Sequence, residues 1–544
     1  MNILIGNAWP YANGSLHIGH IAALLPGDVL ARYFRAKGDT VFLVSGTDCH
    51  GTPVAIRARQ EGKTPEEISD CYHNEFTECF KHLGFSYDLY GKTSGNEHKN
   101  FVKEFHKKLY EGGFVYEKST LQAYCDKCGQ FLPDRFVKGL CPYCGKPARG
   151  DQCEECGNVL EPENLLQTEC SICGKLPEFR SANHLYLAVT RMKEKLEKYI
   201  ESHSDWRKNA YEMSKRYIHE GLRDRSLTRD LNWGIDVPKK GFEGKKIYIW
   251  AENILGYLSH CHTLCCRQGI DFYEFWNSSK QYYVHGKDNI PFHTIILPSL
   301  LLGRTDVNLK LPDYIISSEY LTLEGRKIST SDNWAIWVKD IVKRYNPDSI
   351  RYFLIINGPE KRDTDFTWRE FINSHNGELL GAYGNFVNRS LVFIQKYFES
   401  KVPEAQCNQN ILQCLERLYP NIGGLIEQGN LKEALDTIFA FVRASNKYFD
   451  EEQPWITIKS DIEKCKETLN TCIQIIANLS QLLEPFLPFS SVKISNILKI
   501  EKSAWDCIKV PAGLELGQVE ILFERIDKNV INEEEVKLKN SKYN

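Results

Sequence analysis

Apolar positions along the chain follow two regimes. Up to about residue 115, short continuous apolar runs alternate with stretches whose apolar residues recur every three to four positions. From about residue 373 onward only the helical period remains. Asn2 to Gly6 reads as a buried strand and Asp39 to Asp48 as a second one. The run Thr40-Val41-Phe42-Leu43-Val44-Ser45-Gly46 is largely apolar and stops at Gly46-Thr47-Asp48. Runs of this kind are covered on both faces, as in parallel sheets, and feed sites at their carboxyl ends. Between the two strands, Pro10, Asn13 and Gly14 mark a turn. Ser15 is the expected N-cap of a helix running through Ile21, Leu24, Val29 and Leu30 toward Ala36. Pro65 to Leu83 reads as another helix, and the parallel pattern is expected to resume at Lys246–Trp250 and Gln281–Val284. Late in the chain Leu379, Leu380, Tyr383, Phe386, Val387, Leu391, Ile394 and Phe398 recur mostly at helical steps. No internal repeat or low-complexity segment interrupts this pattern.

Composition narrows the picture. A chain of 544 residues exceeds one core and implies two to four domains, and its 42% hydrophobic and 26% charged residues are those of a soluble globular protein. No run of about 18 apolar residues occurs, so no membrane span is expected. Met1-Asn2-Ile3-Leu4-Ile5 lacks a charged leader segment. The formal net charge of −3 leaves any nucleic-acid contact to local basic patches.

The 19 cysteines are unevenly spread, and in a large chain without a leader they imply a reducing, cytoplasmic setting plus metal. Eight form four C-x-x-C pairs: Cys125/Cys128, Cys141/Cys144, Cys153/Cys156 and Cys170/Cys173. Each pair is a knuckle offering two thiolates, and two knuckles complete a tetrahedral zinc site. Four knuckles therefore make two sites, and spacing does not choose among the three pairings. A glycine follows each knuckle (Gly129, Gly145, Gly157, Gly174). Four thiolates leave no open coordination position, so the zinc would be structural. The remaining cysteines, such as Cys49, Cys71 and Cys265, read as ordinary thiols.

Two short motifs carry the chemistry. His17-Ile18-Gly19-His20 places two imidazoles near a helix start that follows a strand, where backbone N–H groups and the helix dipole attract phosphate. Gly19 would let a nucleotide approach closely. Far downstream lies Gly325-Arg326-Lys327-Ile328-Ser329-Thr330-Ser331. The first motif, with its flanking Pro10-Tyr11-Ala12-Asn13-Gly14-Ser15, resembles the HIGH signature as it occurs in the methionyl-tRNA synthetase family of class I aminoacyl-tRNA synthetases. The second resembles that family's KMSKS loop, except that Thr330 stands where a second lysine is common. Lys327, helped by Arg326, must then supply the mobile positive charge.

The resemblance covers nearly the whole chain. It implies an α/β fold: a class I Rossmann-like catalytic domain with a zinc-knuckle connective-peptide insertion, followed by an all-α anticodon-binding domain. The implied divisions are 1–115 and 236–320 for the catalytic halves, 116–235 for the insertion, 321–372 for the connection bearing the signature loop, and 373–544 for the helical domain. It implies that the inner knuckles, Cys141/Cys144 and Cys153/Cys156, share one zinc and the outer pairs the other. It implies ATP-dependent ligation of L-methionine to methionine tRNA through methionyl-adenylate, with magnesium accompanying ATP. His17 and His20 would stabilise phosphate and Lys327 the departing pyrophosphate. Gly19, Gly286 and Asp288 would also touch ATP, Asp288 as a ribose acceptor, while Lys287 serves either ATP or the fold.

For methionine the implied residues are Asp48 on the ammonium and Tyr11, Trp250, Tyr257 and His293 around the side chain. Here the chain departs from the family: common relatives have Asp-Ala-Pro-Ile-Gly-Tyr where this one has Glu252-Asn253-Ile254-Leu255-Gly256-Tyr257. Asn385 and Arg389, at i and i+4, and Trp455 match the anticodon-reading positions. A chain without a C-terminal dimerisation module is expected to be a monomer.

Overall fold

The computed structural model describes residues 1–133, 136–150, 153, 155–156, 158, 160, 162–330, 332–500 and 504–540. Gly157 and Ser331 lie outside the described residues. At the centre is a five-stranded parallel sheet. Its strands are β1 (Asn2–Asn7), β2 (Thr40–Thr47), β3 (Leu89–Lys92), β4 (Lys280–Gly286) and β5 (Tyr314–Ser318), in the spatial order β5-β4-β1-β2-β3. Ile3, Leu4, Ile5, Tyr282, Tyr283 and Val284 have no solvent exposure, as double-sided coverage requires. Strand order reverses beside β1, so the carboxyl ends of β1, β2 and β4 open onto one crevice, the usual ligand position in such sheets.

Three expectations need correction, two of them around the sheet. The helix after β1, α1 (Ile18–Ala36), is capped by His17 and not by Ser15. The Ser15 hydroxyl instead lies 3.0 Å from Lys339 Nζ, because Leu16 and Ile18 are paired in extended form with Val338 and Ile336 before the helix can begin. The stretch from Lys246 to Trp250 does not rejoin the parallel sheet. Only Lys246–Ile247 is extended, antiparallel to Thr228–Arg229, and the chain then tightens into the 3₁₀ turns Ile249–Ala251 and Asn253–Leu255.

Between the sheet halves a long antiparallel ribbon, Val115–Cys125 against Glu178–Leu187, projects the knuckles. A small sheet of Val137–Leu140 between Pro147–Arg149 and Leu166–Cys170 braces them. After the signature loop the helix Pro347–Ile356 leads into a helical body. Its central helix, Ile462–Leu483, is buried on nearly every side from Thr468 onward. Helices do not fill the chain to its end. The stretch from Ala504 to about Asn529 runs without helix, held by amides of the central helix. Gln474 exchanges hydrogen bonds with both backbone groups of Val510, and Asn478 with both of Ile508, each at 2.9 Å. Side-chain amides at i and i+4 thus stand in for a neighbouring strand, satisfying backbone groups that would otherwise be buried unpaired.

Sheet and helical body share one apolar core. Where they meet, Arg351 is wholly buried, 2.8 Å from Asp28 of α1, and it donates to the carbonyls of Phe486, Leu83 and Pro485 at 2.8, 3.1 and 2.9 Å. Asp28 also accepts from Arg32 Nε (2.9 Å) and from both N–H and hydroxyl of Ser86 (2.7 Å each), and those partners hold its carboxyl down at about 2 despite burial. Below the crevice sits a cluster of buried imidazoles. His106 donates to the Ala251 carbonyl at 2.8 Å, His98 meets Ser259 at 2.8 Å, and His260 packs edge-on to Trp9. Burial pulls His106 down to about 4 and His260 to about 3. None of the described helices is long and apolar enough to cross a membrane.

Two outcomes follow. Replacing Arg351 with Ala leaves three carbonyls and one face of Asp28 unmatched in the interior, so urea unfolding should show a loss of about 3–5 kcal/mol. The buried histidines take up protons only after unfolding, because their folded values lie below the unfolded value of about 6.5. Their contribution is complete above that pH and is lost as pH falls toward 4, so the thermal midpoint should drop across that window. Replacing both His106 and His260 with Gln should flatten the drop.

Candidate active site

The crevice at the strand ends is assembled by α1, by the segment after β2 and by the signature loop. His17 caps α1: its Nδ1 accepts from the Gly19 N–H at 3.1 Å, while the His17 N–H donates to Nδ1 of His20, also at 3.1 Å. This is a capping box built from imidazoles, with the rings stacked at 3.8 Å. Because both Nδ1 atoms accept, each neutral ring carries its proton on Nε2. Burial, and for His17 the neighbouring His20, keep both well below the ordinary imidazole value, His20 at about 4. The pair therefore presents two neutral N–H donors beside the free backbone donors of a helix start.

Gly19 is also needed for packing within the site. A Cβ there would lie 3.0 Å from the His17 ring and 3.3 Å from Ile328, so the glycine lets the signature loop dock against the first motif. The loop turns at Glu324 and Gly325, both at positive φ, and carries Arg326 over the Trp334 ring at 4.4 Å. Lys327 is exposed, 5.8 Å from the Tyr320 ring, with no ion-pair partner among the described residues.

Asp48 directly follows β2 and is fully buried. Its backbone is sewn to the Pro10–Ala12 turn by two hydrogen bonds of 2.9 Å, which brings it beside Tyr11. Its Oδ2 accepts from Asn253 at 2.7 Å. Burial, and then the charge of Glu252, raise its affinity for a proton, as in a carboxylate awaiting a cation. Tyr11 stands edge-on to Trp250 at 6.0 Å, and Trp250 stacks on Phe292 at 3.7 Å. Phe292 was not singled out from the sequence; nothing in its local pattern marks a ring that meets its partner only in the fold. Tyr257 donates to His293 Nε2 at 2.9 Å, since His293 Nδ1 already donates to the Asn289 carbonyl at 2.8 Å. His293 rides on a π-helical stretch, Phe292–Ile296.

At the end of β4, Gly286 leads to Lys287 and Asp288. Lys287 is committed to Glu319 (2.6 Å) and Asp363 (2.9 Å), a structural engagement, while Asp288 accepts from the Tyr320 hydroxyl at 2.5 Å. A cleft of about 620 Å³ between the knuckle module and the catalytic body is lined by Arg59, Lys63, Tyr124, Phe131 and Trp233. Trp233 donates to the Cys49 carbonyl at 2.6 Å, so one wall of the cleft abuts the crevice.

Two further groups lie apart. The knuckles pair as inner with inner and outer with outer: Cys141 with Cys156 at 3.7 Å and Cys144 with Cys153 at 3.6 Å, Cys125 with Cys173 at 3.5 Å and Cys128 with Cys170 at 3.9 Å. Four thiolates about 2.3 Å from a tetrahedral zinc would stand about 3.8 Å apart, so both tetrads fit that ion. Gly129, Gly145 and Gly174 adopt the positive φ these turns require. In the helical body, Asn385 and Arg389 share the helix Asn385–Tyr397. Arg389 pairs with Asp450 at 2.6 Å and lies 4.4 Å over Phe449 and 5.9 Å over Trp455. Trp455, after the left-handed Gln453, is 44% exposed and so is not a core indole.

Comparison with known proteins agrees with this arrangement. Residues 3–391 match the family model described as class I tRNA synthetases (M), and residues 402–542 the one described as the anticodon binding domain of methionyl tRNA ligase. A methionine–tRNA ligase of Alkaliphilus oremlandii is 53% identical over 99% of this chain and 100% of its own. One from Streptococcus pneumoniae is 53% identical over 99% of both, and one from Bacillus cereus is 52% identical over 99% of both. The fold matches that of Mycobacterium tuberculosis methionyl-tRNA synthetase solved with methionyl-adenylate, at a TM-score of 0.82 and 21% identity over 96% of this chain and 100% of that one. Full-length identity of this order, with both family models in sequence, means that the chain belongs to the methionyl-tRNA synthetase family of class I.

Proposed function

We propose that this chain joins L-methionine to methionine tRNA, using ATP to form methionyl-adenylate first. The observation that carries this reading is the meeting of three elements in one crevice: the imidazole-capped helix start, the signature loop docked on it through Gly19 and Ile328, and the buried Asp48 beside Tyr11 and Trp250. The methionine carboxylate attacks the α-phosphorus of ATP, and pyrophosphate leaves with magnesium. The terminal adenosine of the tRNA then attacks the acyl carbon. No side chain forms a covalent intermediate; positioning and charge complementarity carry the reaction.

His17 and His20 donate Nε2–H to phosphate oxygens as negative charge accumulates on them. Neutral donors suit this task because they need no change of protonation between pH 6 and 8. Lys327, exposed in a hairpin and without an ion-pair partner among the described residues, swings onto the departing pyrophosphate. Asp288 takes a ribose hydroxyl by exchanging it for the Tyr320 hydroxyl. Asp48 holds the ammonium of methionine, and Tyr11, Trp250, Tyr257 and His293 surround its thioether, a polarizable group that suits aromatic faces. Homocysteine, shorter by one methyl, is the near-cognate such a pocket rejects least, by about 10–200-fold.

The two thiolate tetrads hold one structural zinc each, which fixes the tip of the ribbon, and their reduced state suits the cytoplasm. Basic and aromatic side chains in the cleft beside Trp233 suit the single-stranded end of tRNA. Asn385, Arg389 and Trp455 read the anticodon: the amide and guanidinium meet base edges, and the exposed indole offers a stacking face.

Amino-acid-dependent ATP–pyrophosphate exchange tests the reading: methionine alone among the standard amino acids should support rapid exchange, and faster exchange with leucine or cysteine would sink it. In the same assay Lys327→Ala should lower kcat by about 100-fold or more with little change in methionine KM, as for a group that acts on the transition state. Trp455→Ala should leave exchange intact and lower kcat/KM for methionine tRNA roughly ten- to a hundredfold, the loss of one stack worth about 1–3 kcal/mol. Equal losses with cognate and anticodon-altered tRNA would instead mark Trp455 as a structural residue.

A further inference from the structure

Four buried side chains next to the Tyr11–Trp250 pair form two neighbouring hydrogen-bonded pairs. Asn253 donates to Asp48 at 2.7 Å, Glu252 lies beside them, and Glu252 Oε1 is 2.7 Å from Nδ1 of His50. All four are more than nine-tenths buried: Asp48 and Glu252 are 0% exposed, His50 2% and Asn253 6%. Each nevertheless keeps one polar atom with no partner: Asp48 Oδ1, Asn253 Oδ1, Glu252 Oε2 and His50 Nε2. Other buried side chains of the protein also keep an unmatched atom, but here four fall in one small group, and such a group calls for an explanation.

The chemistry of the contact fixes the geometry of the first two. A carboxylate only accepts, so it is the amide nitrogen of Asn253 that faces Asp48. The amide oxygen is thereby left over, on a group clamped to Asp48. Two unpaired acceptors, one anionic and one neutral, then belong to the same buried pair, with Glu252 adding negative potential behind them. A cation with several N–H donors is the group that satisfies both.

We infer that Asn253 is a methionine-binding residue of this chain: its nitrogen fixes the rotamer of Asp48, and its oxygen accepts a second hydrogen bond from the substrate ammonium. The inference rests on the methionine-activating function proposed above.

The test is pyrophosphate exchange by the full chain carrying Asn253→Ala and, as a variant of closer volume, Asn253→Leu. Each should raise methionine KM by about tenfold or more, the size of a lost hydrogen bond to a charged group. Each should change kcat by less than about threefold, because the contact is made alike in ground and transition states. The inhibition constant of methioninol, which keeps the ammonium and lacks the carboxylate, should rise by the same factor, with ATP KM unmoved. A methionine KM within about threefold of the unmodified protein in whichever variant folds would overturn the inference. So would a loss shared equally by methionine and ATP. Absence of methionine-dependent exchange in the unmodified protein would instead overturn the functional reading on which it rests.

Discussion

Arg351 carries its charge into a place with no solvent exposure and engages all three of its nitrogens there. One edge meets Asp28 of the catalytic core, and the rest meets carbonyls of the Leu83 turn and of Pro485 and Phe486 in the helical body. Three segments distant in sequence are thereby locked to one planar group, whose fork of fixed donors permits little rotation. Asp28 extends the lock through Arg32 to Glu484 and through Ser86 to the strand-leading turn. For a synthetase the consequence is mechanical. The helical body that carries Arg389 and Trp455 keeps a set direction relative to α1, the helix whose first turn holds His17 and His20.

The active crevice is ordered by local constraints nested inside that frame. His17 and His20 are held by the backbone donors that a helix start leaves unsatisfied, so the capping requirement and the tautomer requirement have one solution. Gly19 is compelled by the same crowding: the His17 ring folds back over it and Ile328 reaches it from the signature loop. Lys327, by contrast, is exposed on a two-residue strand turned by left-handed backbone at Glu324 and Gly325, with no ion-pair partner among the described residues.

Polar groups in the interior distinguish structural from functional burial. The amides of Gln474 and Asn478 are matched by the backbone of Val510 and Ile508, and they hold a non-helical segment where a helix was expected. The Asp48–Asn253–Glu252–His50 group is equally buried but left with four unmatched atoms, all beside the crevice. Other buried side chains, among them His98, His106 and Tyr383, also keep an unmatched atom, so it is the grouping of four beside Tyr11 and Trp250 that singles out this place.

Much of this was legible in the residues. Period and run length marked β1, β2, α1 and β4 to within a few positions, because burial on both faces or along one stripe leaves its period in the sequence. The knuckles and the two signature motifs were legible because metal and phosphate chemistry demand particular side chains at fixed short spacing. Their pairing was not derivable from spacing, since the ribbon alone decides which knuckles face each other. The cap moved from Ser15 to His17 because pairing with Ile336 and Val338 keeps the chain extended past the serine, a contact with a segment far away in sequence. The strand expected at Lys246–Trp250 gave way to 3₁₀ turns that bring Trp250 to Phe292 and Asn253 to Asp48. Sequence fixes which residues can cap, ligate or stack. Which partner each one meets is set by long-range packing, and only the tertiary structure decides it.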